Sequence, residues 1–139
     1  MNIGFSNDGK VKIFDFGLAT ELRSDKKNAN GLYRMSGNTG TRRYMAPEIA
    51  RREPYNEACD VYSFGILLWE MLANTTPFEG YNLDMFQVFV ATMGERLPID
   101  PSWPPAVQVV VSTCWEHNCK KRPSTAELLK SMEKIVNDL

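Results

Sequence analysis

Cys114, His117 and Cys119 lie close enough in sequence to offer two thiolates and an imidazole to one metal ion. Zinc takes four such ligands, and no fourth stands at a suitable spacing, so a zinc site there is incomplete. Asp15 is a second candidate, in the tripeptide Asp15-Phe16-Gly17 that follows a short apolar run. Alone the tripeptide is a weak signal, because a carboxylate at a strand end needs no function. Ser24, Ser36, Thr39 and Thr41 supply hydroxyls to a polar stretch. Asp60 puts a negative charge at the start of a long apolar segment, where a helix dipole favours it. The basic clusters Arg42-Arg43, Arg51-Arg52 and Lys120-Lys121-Arg122 are short and read as solvated faces or local ion pairs.

The elements that must position these groups follow from composition and pattern. A chain of 139 residues suits one domain with a real core. Hydrophobic residues are 43% and charged residues 24%, which places it among folded globular proteins. The net charge of −1 leaves no whole-domain basic field for nucleic acid or an anionic membrane. The longest apolar stretch, 61–73, contains Ser63 and Glu70 and is too short to span a bilayer. No signal peptide is expected, because Asn2, Asn7 and Asp8 interrupt any early apolar region. The odd count of three cysteines then predicts reduced thiols in an intracellular, cytoplasmic setting.

Ile3 and Phe5, then Val11 and Ile13, alternate with small or polar neighbours around Asp8-Gly9, which predicts a hairpin with a type I′ turn. The stretch 20–41 is polar, rich in Gly and Asn and without period, hence a long loop of the kind that is usually functional or disordered. Helices dominate the rest. Val61, Phe64, Leu67, Leu68, Met71 and Leu72 recur at helical spacing, and Ile66 and Trp69 make the opposite side apolar too, so this helix belongs inside a core. Leu83, Phe86, Phe89, Val90 and Met93 predict a second helix, and Val107, Val110, Val111 and Cys114 a third. The last helix has a capping-box start, Ser124 to Glu127, and an apolar stripe through Leu128, Leu129, Met132, Ile135, Val136 and Leu139.

Three further motifs change the weight of Asp15-Phe16-Gly17. Gly40-Thr41-Arg42-Arg43-Tyr44-Met45-Ala46-Pro47-Glu48 closes the long loop, "DVYSFGILLWEM" begins at Asp60, and "CWEHNCKKRPS" begins at Cys114. In this order the four motifs resemble the C-terminal lobe of a eukaryotic protein kinase, over essentially the whole chain. The resemblance implies an α+β parent fold of the protein-kinase kind, with this chain its mainly helical large lobe carrying one N-terminal β-hairpin. It implies the divisions 1–2 (end of the catalytic loop), 3–14 (hairpin), 15–48 (activation segment) and 49–139 (helical lobe). The catalytic-loop His, Arg and Asp would precede residue 1, as would the Gly-rich loop and the phosphate-pairing Lys. No catalytic residue is therefore expected within the chain, which by itself should be inactive and fold poorly without an N-terminal lobe.

The resemblance also implies roles for single residues. Mg²⁺ would neutralise and orient the phosphates of ATP, held by the Asp15 carboxylate and the Asn2 side-chain oxygen. Phe16 is expected to pack between core residues and Gly17 to let the chain turn. Thr41 is implied to be structural, whereas Ser36 and Thr39 are the better phosphosites, provided an arginine receives the charge. Glu48, closing Ala46-Pro47-Glu48, and Arg122 resemble the ion pair that ties the segment's end to a late loop. Asp60 resembles the residue that braces the catalytic-loop backbone. Trp69, Cys114-Trp115 and Arg122-Pro123 resemble the tyrosine-kinase-like branch, while the run from Gly40 to Glu48 resembles a serine/threonine enzyme. The implied function is transfer of the ATP γ-phosphoryl group to Ser or Thr of a protein substrate in signal transduction. A pseudokinase or non-catalytic docking module, and a dual-specificity or tyrosine kinase, stay open as alternatives.

Overall fold

The first strand, β1 (Ile3–Phe5), pairs antiparallel with β2 (Val11–Ile13), Ile3 facing Ile13 and Phe5 facing Val11. These positions belong to a computed structural model that describes residues 2–138. Met1, expected at the catalytic-loop end, and Leu139, expected in the last apolar stripe, lie outside the described residues.

The turn differs from the type I′ expected. Gly9 is left-handed at φ 77° but Asp8 is not. The Gly9 N–H donates to the Ser6 carbonyl and the Ser6 N–H to the Lys10 carbonyl, both at 2.8 Å, so Asn7, Asp8 and Gly9 form a three-residue loop. Asp8 instead accepts the Ser6 hydroxyl at 2.5 Å and pairs with Lys10 at 3.0 Å, and one glycine carries the only positive φ.

Residues 14–46 cross the surface with single 3₁₀ turns at Ser24–Lys26 and Arg42–Tyr44. Backbone hydrogen bonds tie the middle of this stretch down: a bridge between Tyr33 and Tyr55, with bonds of 2.9 and 3.0 Å, and the Asn38 N–H on the Ile49 carbonyl at 2.9 Å.

Helix α1 (Pro47–Ala50) begins on a proline, whose missing N–H costs nothing at a helix start. The central helix α2 (Ala58–Ala73) ends at Asn74 in the left-handed conformation, φ 49°. Its all-round apolar character is matched by burial: Val61, Tyr62, Ile66, Leu68 and Trp69 are all buried, and Met71 and Leu72 are exposed near its C-terminal end. Trp69 donates its indole N–H to the Pro98 carbonyl at 2.7 Å, which satisfies its polar edge.

Helix α3 (Leu83–Met85), capped by the Asn82 side chain, runs into a π-helical stretch at Phe86–Thr92. A single α-helix is what the spacing predicts. Over so few turns, however, the apolar pattern cannot separate i→i+4 from i→i+5 bonding, and the Met93 N–H donates to Val88. Helix α4 (Pro105–Cys114) packs along α2, close enough that a Cβ on Gly65 would lie 2.7 Å from Cys114 Cβ. Helix α5 (Thr125–Asn137) has the expected capping box, with Ser124 N–H on Glu127 Oε2 at 2.8 Å and Glu127 N–H on Ser124 Oγ at 3.3 Å. Its stripe is narrower than expected: Leu128 is buried, Met132 and Ile135 half-buried, Leu129 and Val136 exposed.

Candidate functional site

The hairpin ladder closes one pair beyond β2, where the Phe14 N–H donates to the Asn2 carbonyl at 3.0 Å. That register brings Asn2 beside Asp15 across the open end: Asn2 Nδ2 donates to Asp15 Oδ2 at 3.4 Å. Asp15 is left-handed, φ 65°, which is uncommon for a residue with a Cβ, and its Oδ1 accepts the Gly17 N–H at 3.3 Å. A Cβ on Gly17 would come within 3.2 Å of that oxygen, so the glycine makes room for the carboxylate. The side chains are solvent-exposed oxygen donors, and two of them suit a hard cation that keeps most of its ligands as water and phosphate. The residues present therefore fit a Mg²⁺ ion shared with a nucleotide. Among the described residues no group of three or more His, Cys, Asp or Glu converges on a metal position.

Phe16 corrects the expectation of a core position. It is 68% exposed, with Phe5 at 78% and Leu18 at 70%, because nothing in residues 2–138 packs over this edge of the hairpin.

A cleft of about 360 Å³ opens between the segment after the hairpin and the start of α2, lined by Leu18, Thr39, Thr41, Tyr44, Cys59 and Asp60 among others. Asn2 and Asp15 lie outside that lining. Asp60 sits in the first turn of α2 and accepts from Cys59 Sγ at 3.8 Å. Burial first, then the neighbouring Asp60, pushes the Cys59 thiol up to about 12, so it stays protonated and unreactive at neutral pH. Thr41 and Asp60 thus share one cleft, while Ser36 faces solvent outside it.

The C-terminal end of the segment is anchored by charge. Glu48 and Arg122 are both buried, and the guanidinium grips the carboxylate with two bonds of 2.6 and 2.8 Å. The same guanidinium donates to the Glu116 carbonyl at 2.8 Å and the Ala58 carbonyl at 2.9 Å, so few of its protons are left unpaired. Such saturation is what makes a buried ion pair tolerable. Ala46 and Pro47, also buried, seat Glu48 at the start of α1.

Several participants were missed from sequence. Two guanidiniums lie over the Tyr62 ring, Arg122 at 5.0 Å and Arg96 at 5.2 Å from its centroid, both in cation–π range. Its hydroxyl and Arg96 Nη2 are buried with no partner among the described residues. Tyr44 donates its hydroxyl to Glu70 at 2.8 Å, and its carbonyl accepts from Ser63 at 2.8 Å, fixing the Arg42–Tyr44 turn on α2. Burial, with Glu70 beside it, pushes the Tyr44 phenol up to about 12. A signal existed here: Glu70 interrupts an apolar helix and so needs a partner. Arg51 ties the end of α1 to the π-helical stretch through the Ala91 carbonyl, faces His117 Nε2 at 3.2 Å, and holds Glu53 with two bonds of 2.9 Å. Nothing in the local sequence singles it out from Arg52.

With this geometry in view, comparison with known proteins is decisive for the family. The protein kinase domain family matches residues 1–132. A probable LIM domain-containing serine/threonine-protein kinase of Dictyostelium discoideum is 36% identical over 139 residues, all of this chain and 20% of that protein. A serine/threonine/tyrosine-protein kinase of Arabidopsis thaliana is 37% identical over 136 residues, 96% of this chain and 32% of that protein. A dual specificity protein kinase of Dictyostelium discoideum is 36% identical over 138 residues, 99% of this chain and 19% of that protein. The chain thus spans a third or less of the length of these relatives. Matched over 1–132 and folded as the helical large lobe with its hairpin, the chain belongs to the protein kinase domain family.

Proposed function

We propose that this chain is the large-lobe portion of a serine/threonine protein kinase whose complete domain transfers the γ-phosphoryl group of ATP to a protein hydroxyl. The observation that carries the reading is the Asn2–Asp15 pair, an amide and a carboxylate 3.4 Å apart at the end of the hairpin. The Asp15 carboxylate and the Asn2 amide oxygen would hold Mg²⁺, which with ATP bound supplies charge neutralisation at the phosphates. The bond from the Gly17 N–H sets the direction of the carboxylate. Thr41 and Asp60, on one cleft, fit groups that position a catalytic-loop backbone. The buried Glu48–Arg122 pair holds the far end of the activation segment, read as residues 15–48.

The relatives' names, serine/threonine and dual-specificity kinases, support a hydroxyl of Ser or Thr as acceptor. The sequence holds no Gly-rich cover, no phosphate-gripping Lys in a strand and no His-Arg-Asp loop, so residues 1–139 alone are not expected to transfer phosphate. The test is Asp15→Asn in the full-length protein, assayed by phosphate incorporation into a protein substrate. Transfer should be abolished with the melting temperature unchanged, and turnover near that of the unmutated enzyme overturns the assignment.

A further inference from the structure

Three arginines from three parts of the fold hold three consecutive residues. Arg96 Nε donates to the Trp115 carbonyl at 2.7 Å, Arg122 Nε donates to the Glu116 carbonyl at 2.8 Å, and Arg51 Nη1 stands 3.2 Å from His117 Nε2. Arg51 closes α1, Arg96 follows the π-helical stretch, and Arg122 precedes α5. Residues 115–117 therefore join these elements at one place.

Only the third of these ties depends on a proton. A guanidinium carries donors alone, so His117 Nε2 must offer its lone pair, and the proton of the neutral ring sits on Nδ1. Arg51 Nη1 divides its two protons between that nitrogen and the Ala91 carbonyl, while Nε and Nη2 hold Glu53 at 2.9 Å each. The ring rests on Gly94, where a Cβ would lie 3.4 Å from Nδ1. A guanidinium at Nε2 also leaves no room for a metal ion on that nitrogen.

The charges around the ring come from each element packed on it. α1 and the turn after it supply Arg51, Glu48 and Glu53, the chain after Gly94 supplies Arg96, and the ring's own loop supplies Arg122. Glu116 and Cys119 share that loop and act on Arg96 and Arg51, whereas Glu95 is taken by the Tyr81 hydroxyl at 2.7 Å. Glu53 offsets Arg51 and Glu48 offsets Arg122, but Arg96 has no ion-pair partner among the described residues. Burial first, then Arg51, Arg96 and Arg122, hold the imidazole below its ordinary 6.5, with Glu48 pulling the other way.

We propose that His117 is a proton-operated latch on the end of α1: neutral, it accepts from Arg51 and joins α1 to the 115–117 loop, and protonated, it sets donor against donor and lets the two part. His117 is exposed, so the proton comes from solvent. The folded chain binds this proton less readily than the opened one. The latch's stabilisation is therefore complete above about pH 6.5 and is lost as pH falls through the lowered folded value. Arg51 lies three residues after Glu48, so acid loosens the chain beside the buried anchor. A regulatory meaning rests on reading 15–48 as the activation segment, but the latch does not.

Two measurements on the full-length protein test this. In the first, the His117 ring resonance, identified by its loss in His117→Gln, is titrated. Its midpoint should lie below 6.5 and rise toward 6.5 in Arg51→Gln. A midpoint at or above 6.5, as a ring pairing with Glu53 would show, overturns the latch, and so does a midpoint that ignores Arg51→Gln. In the second, amide exchange is followed at Arg51, Arg52 and Glu53, whose N–H groups bond to the Pro47, Ile49 and Glu48 carbonyls. Corrected for intrinsic rates, protection should fall roughly threefold to tenfold between pH 7.5 and 5.5, tenfold being about the ceiling for an open-state imidazole of 6.5. In His117→Gln, whose amide oxygen still accepts but does not titrate, the fall should stay under about twofold. An equal fall in both proteins, or none in the unmutated one, overturns the proposal. Neither readout needs phosphotransfer, so failure of the kinase reading and failure of this one are separable.

Discussion

Arg122→Ala is expected to cost more stability than any exposed substitution in the chain. Its side chain is 0% exposed and its Glu48 partner's 5%. Removing the guanidinium strands that carboxylate, takes donors from the Glu116 and Ala58 carbonyls, and takes one of two cations from the Tyr62 ring. Breaking a buried, saturated pair costs about 3–5 kcal/mol. For a domain of this size that is a fall in melting temperature of roughly 10 °C or more. Glu48→Gln should be milder, because the amide oxygen still accepts from Arg122. The joint replacement Glu48→Leu with Arg122→Met should recover much of the loss, since an apolar pair of similar volume needs no desolvation. The assay is thermal and urea unfolding of the full-length protein, run as a double-mutant cycle. Coupling of about 2 kcal/mol or more is expected. Single losses that simply add, to within about 0.5 kcal/mol, would refute the claim that the two groups act as a unit. The mutant should also be cut faster by trypsin at Arg42 and Arg43, which precede the released anchor.

Other predictions follow from groups outside that pair. Tyr62→Phe removes a buried hydroxyl that has no partner among the described residues and keeps the ring against its two guanidiniums, so the stability read from urea unfolding should hold or rise, by up to about 1 kcal/mol; a clear fall would mean that the hydroxyl is satisfied. Tyr44, raised from 10.0 to about 12, contributes its stability in full below pH 10 and loses it as pH rises toward 12. Urea midpoints from pH 9 to 12 should therefore fall more steeply for the unmutated protein than for Tyr44→Phe, and parallel curves would remove Tyr44 from the account. Residues 1–139 expressed alone should aggregate through the hairpin, where Phe5 is 78% and Ile13 66% exposed, and not through α2. Phe5→Lys with Ile13→Thr should raise the soluble yield, and an unchanged yield would place the sticky surface elsewhere.

Much of this protein was legible along the chain because the information is local. The hairpin, the four-motif order, the buried character of α2 and the capping box of α5 each depend on a few neighbouring residues, and the helical large lobe follows from them. The spacing that matches Asn2 to Asp15 is likewise a consequence of strand pairing across a short turn. What sequence could not settle depends on surroundings. Phe16 looks like a core residue by type, yet burial needs a covering element, and none of residues 2–138 supplies one. The π-helical stretch at 86–92, which packs against α1, has an apolar pattern that an α-helix would share, so its bonding shows only in the structure. Asp8-Gly9 could form either turn until the Ser6 hydroxyl took the Asp8 carboxylate. Arg51 and Arg52 are adjacent and identical in type, but the chain directs one toward Ala91, His117 and Glu53 and leaves the other under Gly37. Ser36 and Thr39 were equal as hydroxyls in sequence, and the bend between them, where Asn38 is left-handed, leaves Ser36 exposed and puts Thr39 in the lining of the cleft. Type and spacing are properties of the chain; exposure, partner and direction belong to the packed molecule, because each requires an atom from somewhere else.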